Sequence, residues 1–130
     1  MSKVVWEKLT ITTTGSAGSA TGNATTEHTY SGRLAAVGLD YHASAPASTV
    51  VVISEVSGQK RTLFTAPASA TDVTFYPTVQ LCGPTGTALT YDATRGVFVP
   101  VPLNDEVKAT VTLSNALTGC VVVYLYFEVD

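Results

Sequence analysis

Two runs close the chain and limit what it can become. In residues 106–114, Val107, Ala109, Val111 and Leu113 alternate with Lys108, Thr110, Thr112 and Ser114. That period of two places successive side chains on opposite faces of a β-strand. Residues 119–130 carry Val121, Val123, Leu125, Phe127 and Val129 on one face and Val122, Tyr124, Tyr126 and Glu128 on the other. Both faces are largely apolar until the charged end, as in a central strand. The connector Asn115-Ala116-Leu117-Thr118-Gly119 is short and ends in glycine, which predicts an antiparallel hairpin joining the two runs.

The rest of the chain repeats the signal in shorter pieces. Residues 4–14 are rich in β-branched side chains and read as a strand. Residues 15–26 hold only Gly, Ser, Ala, Thr and Asn, with nothing large to bury, and predict an exposed loop or the flexible end of an N-terminal arm. Residues 33–42 alternate again, with Ala35, Val37, Leu39 and Tyr41 on one side and Leu34, Ala36, Gly38, Asp40 and His42 on the other. Residues 49–55 and 59–65 form a hairpin about Ser57-Gly58, and residues 72–77 make a short strand that Pro77 places at an edge or an end. Residues 81–100 are broken by turn residues and contain a small hairpin, an excursion from the body of the fold. The expected architecture is all-β: an antiparallel β-sandwich, jelly-roll-like, of about eight short strands. Residues 1–29 supply an N-terminal strand or arm, and residues 30–130 supply the sandwich with its protruding 81–100 segment.

Composition narrows the function classes. Only 13% of residues are charged and the net charge is −3, well below the charge content of an average soluble domain. Such a surface gives little colloidal protection, which points to burial in an oligomer or against a larger assembly. No cluster of Lys and Arg offers a nucleic-acid footprint, and no apolar run is long enough for a membrane helix. The N-terminus has no leader pattern, so the expected site of synthesis is a reducing cytoplasm with Cys82 and Cys120 as free thiols. His28, His42, Cys82 and Cys120 stand apart, unlike metal ligands. No G-x-S-x-G elbow is present, the acidic residues sit mostly at turns, and Gly83-Pro84-Thr85-Gly86-Thr87 lacks the lysine of a phosphate loop. The expectation is a non-enzymatic protein without cofactor or metal. Its candidate partner interface joins Val4, Trp6 and Leu9 of the N-terminal segment with Tyr91, Arg95 and Phe98 of the excursion, because aromatic residues and Arg are enriched at interface centres.

The order of these signals resembles the head decoration or cement proteins of tailed bacteriophages. The resemblance rests on Gly32-Arg33-Leu34 opening a strand, residues 48–55 followed by Ser57-Gly58, Ala70-Thr71-Asp72-Val73 running to Tyr76-Pro77, and residues 102–107 leading to Tyr124-Leu125-Tyr126-Phe127. It implies a jelly-roll-like virion structural protein, made in the host cytoplasm and often a homotrimer. Such a protein sits on the capsid surface against the major capsid protein and stiffens the shell. Two alternatives stay open: a phage tail or fibre component, and a carbohydrate-binding β-sandwich module that grips sugars with surface aromatic rings.

Overall fold

The computed structural model describes residues 3–80, 82, 84–90, 95–96 and 98–129, which form ten strands and no helix. They are β1 (Lys3–Ile11), β2 (Ala20–Thr25), β3 (Tyr30–Tyr41), β4 (Val50–Glu55), β5 (Thr62–Thr65), β6 (Val73–Phe75), β7 (Thr78–Gln80), β8 (Phe98–Asp105), β9 (Val107–Ser114) and β10 (Val121–Val129). One sheet runs in the order β1-β10-β3-β8-β7, with β6 on the edge of β3 beyond the reach of β8; the other runs β2-β9-β4-β5. Every pairing is antiparallel.

The pairs are nested: β1 with β10, β2 with β9, β3 with β8, and β4 with β5. The chain is one long antiparallel ribbon, closed at the β4–β5 turn and rolled so that successive pairs fall in alternate sheets. This is the strand order of a jelly roll. β6 and β7 are additions in the link between β5 and β8, which is why the count is ten and not eight. The wrapping also overturns the predicted closing hairpin. β9 and β10 lie in opposite sheets, and residues 115–119 cross the end of the sandwich between them. Alternation along two adjacent runs is the same whether they pair side by side or face each other across a core.

The core is the sum of the inward faces. Val51 and Ile53 of β4 and Val107, Ala109 and Val111 of β9 face Leu9, Ile11, Val37, Leu39, Val121, Val123, Leu125 and Phe127 of the larger sheet, all essentially dry. Three register shifts break the simple ladders, one of them between β4 and β5 at Ile53/Ser54. At Ala35 the register of β3 against β10 slips by one residue, so that Leu34 and Val37, which strict alternation puts on opposite faces, are both buried. At the end of β9 the register against β2 slips as well, and Leu113 turns outward, 51% exposed, with a left-handed φ of 55°.

Residues 15–26 depart from the expected loop, since Ala20–Thr25 is a strand paired along β9. Small residues serve close approach here. A side chain on Gly22 would run into the carbonyl oxygen of Thr12, where the β1–β2 corner folds back on itself. The same end is tied by polar groups that the core leaves no water to satisfy. Thr13 Oγ1 donates to the Asn115 carbonyl at 2.6 Å and accepts from the Leu117 amide at 3.0 Å. The Thr49 hydroxyl donates to the Pro46 carbonyl at 2.7 Å, so it accepts from Ser114, 2.9 Å away. Ser114 in turn accepts from the buried Cys120 thiol at 3.2 Å. Both cysteines are free thiols, and each bond in this chain is worth on the order of 1 kcal/mol.

Two substitutions test the corner geometry by urea denaturation. A left-handed backbone costs a branched L-residue about 1–2 kcal/mol, so Leu113→Asn raises the unfolding free energy by about 1 kcal/mol, asparagine tolerating that conformation. Gly22→Ala lowers it by about 2 kcal/mol, because the added methyl forces the β1–β2 corner apart.

Candidate functional site: an aromatic face on the larger sheet

A sandwich buries the inner face of each sheet and leaves the outer face to solvent, where polar residues are expected. The larger sheet breaks that rule. The outward residues of β10 are Val122, Tyr124, Tyr126 and Glu128, and those of the neighbouring edge strand β1 are Val4, Trp6, Lys8 and Thr10. No other segment among the described residues covers them. Val4 is 64% exposed and Trp6 is 59% exposed, while the two tyrosines are half-buried by their neighbours. The Trp6 ring lies 6.1 Å from that of Tyr124 and 6.4 Å from that of Tyr126, tilted by 43° and 31°. These separations are those of paired aromatic rings.

β3 supplies a low floor beside this ridge. Its outward positions opposite the tyrosines are Ala36 and Gly38, and the Ala35 bulge adds a second alanine to the same hollow. A side chain on Gly38 would press on Tyr124 Cβ, so glycine leaves room for that ring. Thr74 of β6 and Tyr76 just beyond it close the far side, Tyr76 being 74% exposed. The result is an open groove of about 400 Å³ lined by Val4, Ala35, Ala36, Thr74, Tyr76 and Tyr126. Its chemistry is apolar contact and ring stacking, with the Thr74 and tyrosine hydroxyls as its polar groups.

The six residues expected at an interface are not brought together. Val4 and Trp6 stand on the aromatic face, but Leu9 is only 5% exposed and belongs to the core, because it occupies the opposite phase of the same strand. Arg95, ahead of β8, and Phe98, at its start, are exposed and separated from β1 by β10 and β3. Tyr91 lies outside the described residues. The small residues of β3 and β6 carry no outward signal of their own. They become legible only once β10 is known to lie beside them.

No protein-family model matches this chain, and no curated protein matches it.

Two polar clusters contrast with the aromatic face. A cleft of about 490 Å³ contains Glu55, Arg61 and Asp105, but its charges are spent on each other. Arg61 Nε donates to Glu55 at 2.6 Å, Arg61 also reaches the Pro102 carbonyl, and Asp105 accepts from the Ser57 and Glu106 amides. Among the described residues no three His, Cys, Asp or Glu side chains converge as metal ligands. Nearby, where Tyr30 pairs with Asp105, Glu7 points inward and accepts from the Tyr30 hydroxyl at 2.7 Å and the Glu27 amide at 2.8 Å. The Tyr30 ring stacks on Phe127 with centroids 3.9 Å apart. Burial, then the bond to the Glu7 carboxylate, push the Tyr30 phenol up to about 12. The neutral phenol is the form the fold prefers, which makes this cluster a structural lock.

Two measurements follow from these surroundings. The unfolded phenol ionises near its ordinary value of 10, so the lock is intact below pH 10 and is lost between pH 10 and 12 as the unfolded state sheds its proton first. In a spectrophotometric titration, Tyr30→Phe is expected to remove a late phenolate step near pH 12. Separately, Trp6 is the sole tryptophan, and its exposure predicts that acrylamide quenches the folded protein almost as well as the unfolded chain.

Proposed function

We propose that this chain is a non-enzymatic virion structural protein that decorates and stabilises a phage capsid shell. It docks on the major capsid protein through the aromatic face of β1, β10, β3 and β6. The observation that carries the reading is that face itself. A sheet exterior bearing Val4, Trp6, Tyr76 and two further tyrosines around a shallow groove is costly to leave in water, and Trp and Tyr are the side chains that dominate interface energies. Three features support it. Jelly rolls are a recurrent architecture of capsid and lectin domains. The chain carries few charges to keep its faces apart. The order of its hairpin signals resembles that of decoration proteins.

The same rings favour one competing reading, a carbohydrate-binding module, since Trp6 and Tyr76 present exposed aromatic surfaces on which a pyranose could stack. A tail or fibre component would use the face in the same way as a decoration protein, against a different partner.

Co-sedimentation separates these readings. Shells assembled from a tailed-phage major capsid protein that this chain decorates are expected to carry the protein down. The variant Trp6→Ala/Tyr76→Ala should weaken that binding by about thirtyfold or more, the effect of losing an aromatic anchor worth ~2 kcal/mol, with an unchanged melting midpoint. Protein that stays in the supernatant while binding a glycan array would replace the shell reading with the sugar one.

A further inference from the structure

We infer that the free edge of β1 pairs with the same edge of a second copy, antiparallel about a two-fold axis at Val5. β1 is the terminal strand of the larger sheet, and among the described residues its one ladder is to β10. Among the described residues no hydrogen bond reaches the other edge of its backbone. An unpaired strand of this length is a template for another strand, and folded proteins ordinarily blunt such edges with charge, proline or a bulge. The regular nine-residue register against β10 has no bulge and no proline, so the blunting devices this edge carries are the charges of Lys3, Glu7 and Lys8. The strand's C-terminal half is crowded by the corner where Thr12 meets Gly22, so the accessible stretch is its N-terminal half.

The side chains of that half choose both the occupant and the register. With the axis at Val5, Lys3 of one copy stands opposite Glu7 of the other, and Val4 stands opposite Trp6. Within residues 3–7 each charge meets its opposite and each exposed apolar residue meets another, with Lys8 beyond the paired stretch. Moving the axis to Trp6 sets Val5 against Glu7 and Val4 against Lys8, while moving it to Glu7 sets two carboxylates against each other. Moving it to Val4 leaves Lys3 facing Val5. Only one of the four registers satisfies every pair. The inward charge of Glu7, which would repel an arbitrary strand, therefore acts as a selector for its own copy. It keeps its bonds from Tyr30 and Glu27, since a carboxylate has acceptor capacity left for the ammonium of Lys3. Pairing joins the two sheets into one. It also aligns the Trp6–Tyr124–Tyr126 clusters of both copies on a common outer face, doubling the aromatic platform. The inference holds whether that platform meets a capsid or a sugar.

Sedimentation equilibrium of the full chain, at concentrations up to on the order of 100 µM, is expected to show twice the 13.5 kDa of one copy. A stable single copy, or a trimer, overturns the proposal. Lys3→Glu, an exposed change, is expected to weaken the dimer at least tenfold while the single copy, at concentrations too low to dimerise, melts at the wild-type midpoint. An unaltered dimer would mean that the register is wrong. Cross-linking gives an independent reading in a Cys82→Ser background. Val5→Cys sits against itself across the axis and is expected to form an intermolecular disulfide on mild oxidation, whereas Thr10→Cys is not. Equal rates for the two variants sink the two-fold arrangement.

Discussion

β10 is the strand on which the others depend. It is paired along its whole length on both edges, with β1 on one side and β3 on the other, and its inward side chains from Val121 to Phe127 are fully buried. Satisfying both rows of backbone groups at once fixes β1 and β3 in register. The alternation then decides which side chains reach the core, because a slip of one residue would turn Leu125 and Phe127 out to solvent. β9 occupies the equivalent place in the smaller sheet, between β2 and β4. The two central strands face each other, so the sandwich is assembled around a pair of strands that never touch through their backbones.

That arrangement explains why the aromatic face exists. A central strand in a two-layer sandwich needs only one apolar side, and Val107, Ala109 and Val111 of β9 alternate with Lys108 and threonines accordingly. β10 instead carries tyrosines on its second side. Packing inside the sandwich does not require them, and their neighbours Ala36 and Gly38 are small enough to leave their rings standing above the sheet. The Ala35 bulge contributes twice, returning Leu34 to the core and widening the hollow beside Tyr126. One irregularity thus serves both stability and the exterior groove.

Much of this was legible in the residues. Alternation located β1, β3, β4, β5, β9 and β10 and identified an all-β sandwich, because a half-buried strand needs that pattern whatever its partner. Partnership itself was not legible, and the expected β9–β10 hairpin failed for that reason. β2 escaped notice because a strand of Ala, Thr, Gly and Asn has no apolar face to advertise; it is held by pairing to β9 and by the room Gly22 gives Thr12. Leu113 misled in the opposite sense, an apolar residue in phase with the core that a bulge turns outward. The candidate site was half visible. Val4 and Trp6 stand where an interface would want them, whereas Leu9 follows the inward phase of the same strand, and the groove's floor of alanines emerges only from the sheet order.

The nested pairing has a consequence for how such a chain reaches this state. Of the four ribbon pairs, only β4 with β5 joins neighbours in sequence; each pair outside it closes a longer loop, until residue 3 must find residue 129. Loop-closure entropy rises with each step before the contact returns anything, and topologies dominated by distant contacts fold slowly. Assembly by zipping outward from the β4–β5 turn would leave β1 and β10 to dock last. The strand that completes the core is then also the one that carries Val4 and Trp6, so the exposed face is finished only when everything beneath it is already in place.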